Sequence, residues 1–180
     1  MKRTGSTRSL AMYVVIGVLA VFGIGGLVGG TVAVQMVNDN LKEQNITFGQ
    51  DTKYAGQKVE NGLDAYHFQQ VIKGHVSAAL EPAGFSTYEE VSAAARASVT
   101  PDNPTGDAKL QGLRRTALDG QLLRGTLFSS FAWWLVGWIG IGAGVAFLLL
   151  AAMTWVISGK QRKETLYFPA HDVTGEKMSV

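Results

Sequence analysis

The sequence contains no cysteine. Without thiols the chain has no disulfide, no Cys-ligated zinc or iron–sulfur cluster, and no C-x-x-C-H attachment site for a c-type haem. We therefore predict no cofactor of its own. A small folded domain without disulfides often depends on a partner for its stability, so docking on something larger is expected.

Charge is absent from two long stretches, residues 9–37 and 125–159, which also lack histidine. Roughly 20 apolar residues suffice to cross the ~30 Å hydrocarbon layer as a helix, so each stretch predicts a transmembrane helix. Ionisable residues inside a membrane commonly mark ion paths, proton relays or ligand sites. Their absence predicts that these helices serve as a scaffold.

The charges that flank the two stretches predict their orientation. Basic residues precede the first stretch and follow the second: Lys2, Arg3, Arg8, Lys160, Arg162 and Lys163. Such short basic flanks are typical of the cytoplasmic side. Residues 38–124 carry nine Lys/Arg and eleven Asp/Glu, a net charge of −2, and are predicted to face outward. The first stretch exceeds the 7–15 apolar residues of a signal peptide, so we predict an uncleaved anchor.

Glycine and tryptophan are concentrated in the predicted transmembrane helices. Small residues four apart let helices approach closely, which predicts a helix-packing interface formed by Gly25, Gly26, Gly29, Gly30, Gly137, Gly140 and Gly144. Indole rings prefer the membrane–water boundary, which predicts an interfacial belt formed by Trp133, Trp134, Trp138 and Trp155. The glycine faces are expected to pack against each other or against a partner's helices.

The segment between the predicted transmembrane helices has helical periodicity. Apolar residues at three- and four-residue intervals predict one helix from Asn61 to Pro82. The sequence Ser86-Thr87-Tyr88-Glu89 has capping-box spacing and predicts a second helix that ends near Val99. A third helix, from about residue 110, is predicted to run into the second apolar stretch and to bend near Gly120 or Gly125. Residues 45–59 favour short β pieces in a small irregular or hairpin-like layer over the helices.

Candidate chemistry in this segment is sparse. His67 and His75 lie eight residues apart on the first predicted helix, which separates them by about 12 Å and 80°, so they are not expected to share a metal ion. We predict no catalytic, metal-binding or cofactor-binding residue, no nucleic-acid partner and no small-molecule substrate. Arg114, Arg115 and Arg124 could pair with Asp39 and Glu43 or with lipid headgroups.

These features predict a mainly α protein with two transmembrane helices and a small, mostly helical extracytoplasmic domain inserted between them. Its parts are a cytoplasmic N-terminus (1–9), a first transmembrane helix (10–37), the extracytoplasmic domain (38–125), a second transmembrane helix (126–158) and a cytoplasmic tail (159–180). In the tail, Leu166, Tyr167 and Phe168 are candidate anchors to a neighbouring protein.

Short motifs in this order resemble those of a family of two-span actinobacterial membrane proteins often labelled as aromatic ring-opening dioxygenases. The motifs are NIT (45–47), YAGQKV (54–59), DAY (64–66), IKGH (72–75), STY (86–88) and LRGTLFSS (123–130). The likeness spans residues 11–158, while the loop 93–111 and the tail are longer here. The resemblance implies an accessory subunit beside the cytochrome bcc complex and the haem-copper cytochrome c oxidase of the actinobacterial respiratory supercomplex.

The sequence leaves three functions open. The first is a non-catalytic accessory subunit of that respiratory supercomplex, which supports assembly or stability and has membrane lipids and the larger complex as its partners. The second is an independent homo-oligomeric membrane sensor. The third is a metal-dependent ring-cleaving enzyme, which would have to use His67 and His75.

Overall fold

A computed structural model describes the backbone of residues 4–164 and the side chains of residues 10–158. The described part of the chain is mainly helical, with no strand longer than an isolated bridge. Its helices are α1 (Thr4–Gln44), α2 (Gly62–Leu80), α3 (Tyr88–Ala97) and α4 (Ala108–Glu164), and a single 3₁₀ turn, Glu81–Ala83, follows α2. The candidate anchors Leu166, Tyr167 and Phe168 lie outside the described residues.

Helices α1 and α4 are both long and apolar enough to cross a membrane. Their most apolar windows have mean hydropathies of 2.4 in Leu10–Gln44 and 2.2 in Ala108–Ser158. Only 6% and 17% of those windows are buried, so neither helix resembles the enclosed core helix of a soluble protein. Helix α1 continues to Gln44, beyond the predicted boundary at residue 37, and α4 begins at Ala108 and runs on without interruption through Gly120 and Gly125.

The described chain divides into two compact units, one formed by residues 4–28 with 141–164 and the other by Gly29–Gly140. In the first unit, α1 and α4 pack antiparallel. The rings of Phe22 and Phe147 lie 6.3 Å apart, and the Ser158 hydroxyl contacts the Met12 sulfur. Large apolar side chains elsewhere on both helices are exposed, as expected of helices that face lipid.

The unit Gly29–Gly140 has a core that joins the ends of the long helices to the segment between them. The buried residues of this core come from α1, the hairpin-like segment, α2 and α4: Leu41, Phe48, Val59, Ala65 and Leu127. Each is at most 5% exposed. The segment between α1 and α4, residues 45–107, is the inserted segment. It packs onto both long helices and shares a core with them.

Of the irregular or hairpin-like layer predicted for residues 45–59, the structure has the hairpin-like form, closed by a single bridge. An isolated antiparallel bridge joins Thr47 to Lys58, and the backbone N–H of Val59 donates to the Ile46 carbonyl at 2.9 Å. The Phe48 ring packs edge-on against Phe68 of α2, with ring centroids 5.2 Å apart. Alternation of short β-favouring pieces with Gly49 and Gly56 indicates such a layer and does not decide between its irregular and hairpin-like forms.

Helices α2 and α3 begin at side-chain caps. The Asn61 side chain accepts from the N–H groups of Leu63 and Asp64, and α2 ends before Pro82, as predicted. The predicted capping box of α3 is wrong by one residue, because Thr87 and Glu90 form it in place of Ser86 and Glu89. Both pairs have the same spacing, so spacing alone does not select between them.

A second core cluster holds α3 and the first turns of α4 against the end of α2. Its buried members are Leu80, Val91 and Ala117. Gly120 of α4 lies so close to Val76 of α2 that a Cβ at this position would overlap the valine side chain. The N-terminal part of α4 therefore packs along α2 before the helix enters its apolar stretch.

Candidate functional site

The predicted glycine interface is partly occupied by contacts within the chain. In the unit Gly29–Gly140, a Cβ on Gly137 would lie 2.9 Å from the Gly30 carbonyl oxygen and 3.1 Å from the Val34 nitrogen. In the other unit, a Cβ on Gly144 would lie 2.7 Å from both the Gly23 carbonyl oxygen and the Leu27 nitrogen. Backbone atoms of α1 stand in the way at both positions, joined at Gly137 by the Val34 side chain at 2.7 Å, so glycine at Gly137 and Gly144 is what permits this approach.

Two of the predicted interface glycines, Gly25 and Gly29, are not part of the contact between α1 and α4. Gly25 and Gly29 are exposed, and a Cβ added to either would meet nothing within 4 Å. Gly26 and Gly30 lie against α4, since atoms of both approach the glycines of that helix. Gly140 is half-buried. The pair Gly26/Gly30 therefore serves the chain's own helix contact, and the pair Gly25/Gly29 remains open.

The open pair continues along α1 into a groove. At three- and four-residue steps after Gly29, the same face carries Ala33, Met36 and Asn40. These three residues line a groove of about 490 Å³ between α1 and α4, together with Ser129 and Trp133. The wall is apolar at Ala33 and Met36 and carries neutral polar groups at Asn40 and Ser129.

The four tryptophans do not share one environment. Trp133, Trp138 and Trp155 are 62%, 50% and 65% exposed, which suits the predicted interfacial belt. Trp134 is half-buried and packs on Gly62, the first residue of α2, where a Cβ would overlap the indole. Trp134 thus fixes the start of α2 to α4. No local sequence pattern indicates that contact.

The two histidines hold the hairpin-like layer against α2. The His67 ring stacks on Tyr54 with centroids 4.8 Å apart. The Nε2 atom of His75 lies 3.0 Å from the Asp51 carboxylate, and this hydrogen bond lowers the pKa of Asp51 below its usual value. All four side chains line a shallow, open groove of about 540 Å³.

Residues able to hold a metal ion do not converge in the described part of the chain. No group of three or more His, Asp or Glu side chains there has suitable geometry. His67 and His75 each contact a partner from the hairpin-like layer, which is the arrangement expected of structural histidines.

The arginines beside the second apolar stretch do not form the ion pairs considered for them. Within the described side chains the single ion pair joins His75 to Asp51, so Asp39 and Glu43 engage none of the arginines. Arg114 donates to Gln111. The Nε atom of Arg124 donates to the Gln69 side-chain oxygen at 3.4 Å.

Comparison with known proteins assigns no family. No protein-family model, no characterised protein and no solved structure matches the chain.

Proposed function

We propose that this protein is a non-catalytic accessory subunit of a membrane assembly, and that the assembly is an actinobacterial respiratory supercomplex of cytochrome bcc with cytochrome c oxidase. The observation that carries the accessory role is the shared core of Leu41, Phe48, Val59, Ala65 and Leu127. Because this core joins the inserted segment to both apolar helices, the segment presents fixed surfaces beside the membrane. The respiratory identity of the assembly rests on the motif resemblance alone.

The open face of α1 supports a role in assembly. Helices in lipid associate through close backbone contact at small residues. Gly25 and Gly29 offer such a surface, because no other described group lies within 4 Å of a Cβ placed on either. The groove that begins at Ala33 extends this face toward the inserted segment. A partner helix that contacts Gly29 would reach the groove, which begins four residues further along α1.

The proposed orientation follows the flanking charges. Both termini face the cytoplasm, and the inserted segment with α2 and α3 lies on the extracytoplasmic side. The chain has no native cysteine, so single-cysteine variants can test this directly. Thr105→Cys, in the exposed loop before α4, should react with a membrane-impermeant maleimide in intact cells. If it reacts only after lysis, the proposed orientation is wrong.

The assembly role is tested by purifying the tagged protein from its native membrane in mild detergent and recording cytochrome absorption. We expect bcc-type and oxidase haems to co-purify with the wild type. Gly29→Leu should reduce the haem recovered per tagged chain, whereas Gly17→Leu should not. Both glycines are open, and at 100° per residue they lie about 120° apart around the helix.

The outcomes separate the two parts of the proposal. Absence of cytochromes from the wild-type preparation would refute the respiratory assignment. Equal haem recovery with Gly29→Leu and Gly17→Leu would refute the Gly25/Gly29 face as the contact surface and leave the respiratory assignment standing.

The same open face favours a homo-oligomeric membrane protein as the second candidate. A glycine pair at four-residue spacing is also a dimerisation face for identical helices. In that case cross-linking through Phe22→Cys, an exposed position three residues before Gly25, should give a discrete dimer of this chain that Gly29→Leu abolishes. Removal of the protein from cells should then leave respiration unchanged.

A further inference from the structure

An amphipathic groove lies between α2 and α4, apart from the glycine faces. Two helical stripes form its walls, Tyr66, Gln69 and Gln70 on α2 and Gln121, Arg124 and Phe128 on α4. Each stripe follows the three- and four-residue spacing that places side chains on one helix face. The groove has a volume of about 590 Å³, within the roughly 300–1,000 Å³ typical of ligand sites.

A cation without an acidic partner lies in this groove. Arg124 is half-buried, and among the described side chains no carboxylate pairs with it. Its Nε donates to Gln69, which is only 4% exposed and is therefore held by its surroundings. The terminal guanidinium nitrogens donate to no described protein group. This one hydrogen bond is long, at 3.4 Å, so the guanidinium keeps its remaining N–H groups available to an oxyanion, and phosphate fits their fork geometry.

The polarity of the groove has a direction. Along α4 the stripe passes from Gln121 and Arg124 to Phe128 and then into the uncharged stretch. Along α2 it passes from Gln69 to Tyr66 and on toward the N-terminal end that packs against Trp134. The polar ends of both stripes thus lie away from the apolar part of α4, and the aromatic ends lie toward it.

A third ring, that of Phe131, extends the apolar surface at the aromatic end of the groove. Phe131 lies 5.0 Å from Tyr66 and 6.2 Å from Phe128 by ring centroids, so the three rings form one apolar surface. Phe128 itself is 53% exposed. This surface can receive the first segments of an acyl chain while the guanidinium holds a phosphate above it.

The level of the groove relative to a bilayer follows from length. The uncharged stretch 125–159 contains 35 residues, about 52 Å as a helix. A bilayer with its headgroup layers measures roughly 40–45 Å. A charged residue directly beyond this stretch is therefore within side-chain reach of lipid headgroups, and Arg124 is that residue.

The geometry points to a binding site for the phosphodiester of an anionic phospholipid, held by Arg124 with Gln69, Gln70 and Gln121 around it and its acyl chains along Tyr66 and Phe128. The site lies in the leaflet next to α2. This inference requires that the chain lies in a membrane, and it does not require the respiratory assignment, because binding is measured on the isolated chain.

The test is native mass spectrometry of the purified full-length chain in detergent, titrated with dioleoyl phosphatidylglycerol or with dioleoyl phosphatidylcholine. The wild type should retain one phosphatidylglycerol in preference to phosphatidylcholine. Arg124→Gln should weaken that binding by about tenfold, the size of one lost charge-assisted hydrogen-bonding group. Arg115→Gln removes the same charge from an exposed position on the same helix and should bind like the wild type.

Two control measurements complete the test. Arg124→Lys keeps the charge and should bind with intermediate strength, since an ammonium lacks the planar fork. Inorganic phosphate at millimolar concentration should not displace the lipid. Equal binding by Arg124→Gln and the wild type, equal losses with Arg124→Gln and Arg115→Gln, or full displacement by free phosphate would each overturn the inference.

Discussion

The contact at Gly144 makes a quantitative prediction, because backbone atoms of α1 lie where a side chain on α4 would begin. A Cβ there would approach the Gly23 oxygen and the Leu27 nitrogen to 2.7 Å, which is 0.7 Å short of the 3.4 Å at which ordinary contact starts. Backbone cannot rotate away, so Gly144→Ala must move the helices apart. A gap of about 0.5–1 Å forfeits a quarter to a half of each dispersion contact beside it.

Gly142 is the matched control for this substitution. It lies two residues away on the same helix and is exposed, and a Cβ there would meet nothing within 4 Å. Replacing glycine by alanine inside a helix contributes about 1 kcal/mol of favourable helix propensity in water, and this contribution is common to both variants. The difference between them therefore isolates the clash, which we expect to cost about 1–3 kcal/mol.

The assay is thermal unfolding in a mild detergent, followed by tryptophan fluorescence. For a chain of this length 1 kcal/mol corresponds to roughly 2–4 °C in the midpoint, so a difference of about 2 kcal/mol predicts that Gly144→Ala melts about 4–8 °C below Gly142→Ala. Coincident midpoints for the two variants would show that α1 and α4 do not approach each other through Gly144.

Three other predictions concern the inserted segment. Thr87→Ala should lower the free energy of unfolding by about 1 kcal/mol through loss of the capping box, whereas Ser86→Ala should change it little, because Ser86 gives Glu90 only its backbone N–H; equal losses in chemical denaturation would contradict the assigned cap. The pKa of Asp51 is lowered in the folded state, so its contribution to folding stability is complete above the ordinary value of 3.8 and is lost as the pH falls through the lower, folded value. Hydrogen exchange of the hairpin-like layer should speed up in that acidic window. Asp51→Asn should remove this pH dependence. Trp134→Ala should open the start of α2 to proteolysis and lower the free energy of unfolding by about 2 kcal/mol, less than the roughly 3–5 kcal/mol of a fully buried tryptophan because Trp134 is half-buried. Unchanged protection would refute the docking contact.

Local signals predicted the helices well and their contacts poorly. The limits of α2 follow from Asn61 as an N-cap and Pro82 as a stop, both of which act within a few residues. The cap of α3 was misplaced by one residue because Ser86 and Thr87 offer overlapping boxes of equal spacing. Spacing does not contain the information that selects between them.

Sequence patterns did not predict the contacts between residues that are far apart along the chain. Trp134 and Gly62 are separated by 72 positions, and each has a sufficient local explanation, a belt residue in one case and a helix start in the other. The pairing of Arg124 with Gln69 has the same character. It depends on α4 continuing as a helix far enough beyond its apolar stretch to lie along α2, and only the lengths of both helices together determine that.

The glycines of α1 show why composition predicts a packing face without locating it. The pairs Gly25/Gly29 and Gly26/Gly30 have identical spacing and differ by one position, which is a rotation of about 100° around the helix. Only Gly26/Gly30 lies against α4. If both pairs serve close helix contacts, the second contact is with another chain, because within the described residues no other part of the chain comes within 4 Å of a Cβ placed on Gly25 or Gly29. A leucine at Gly29 therefore leaves the fold intact and tests association alone, which a leucine at Gly30 would not do.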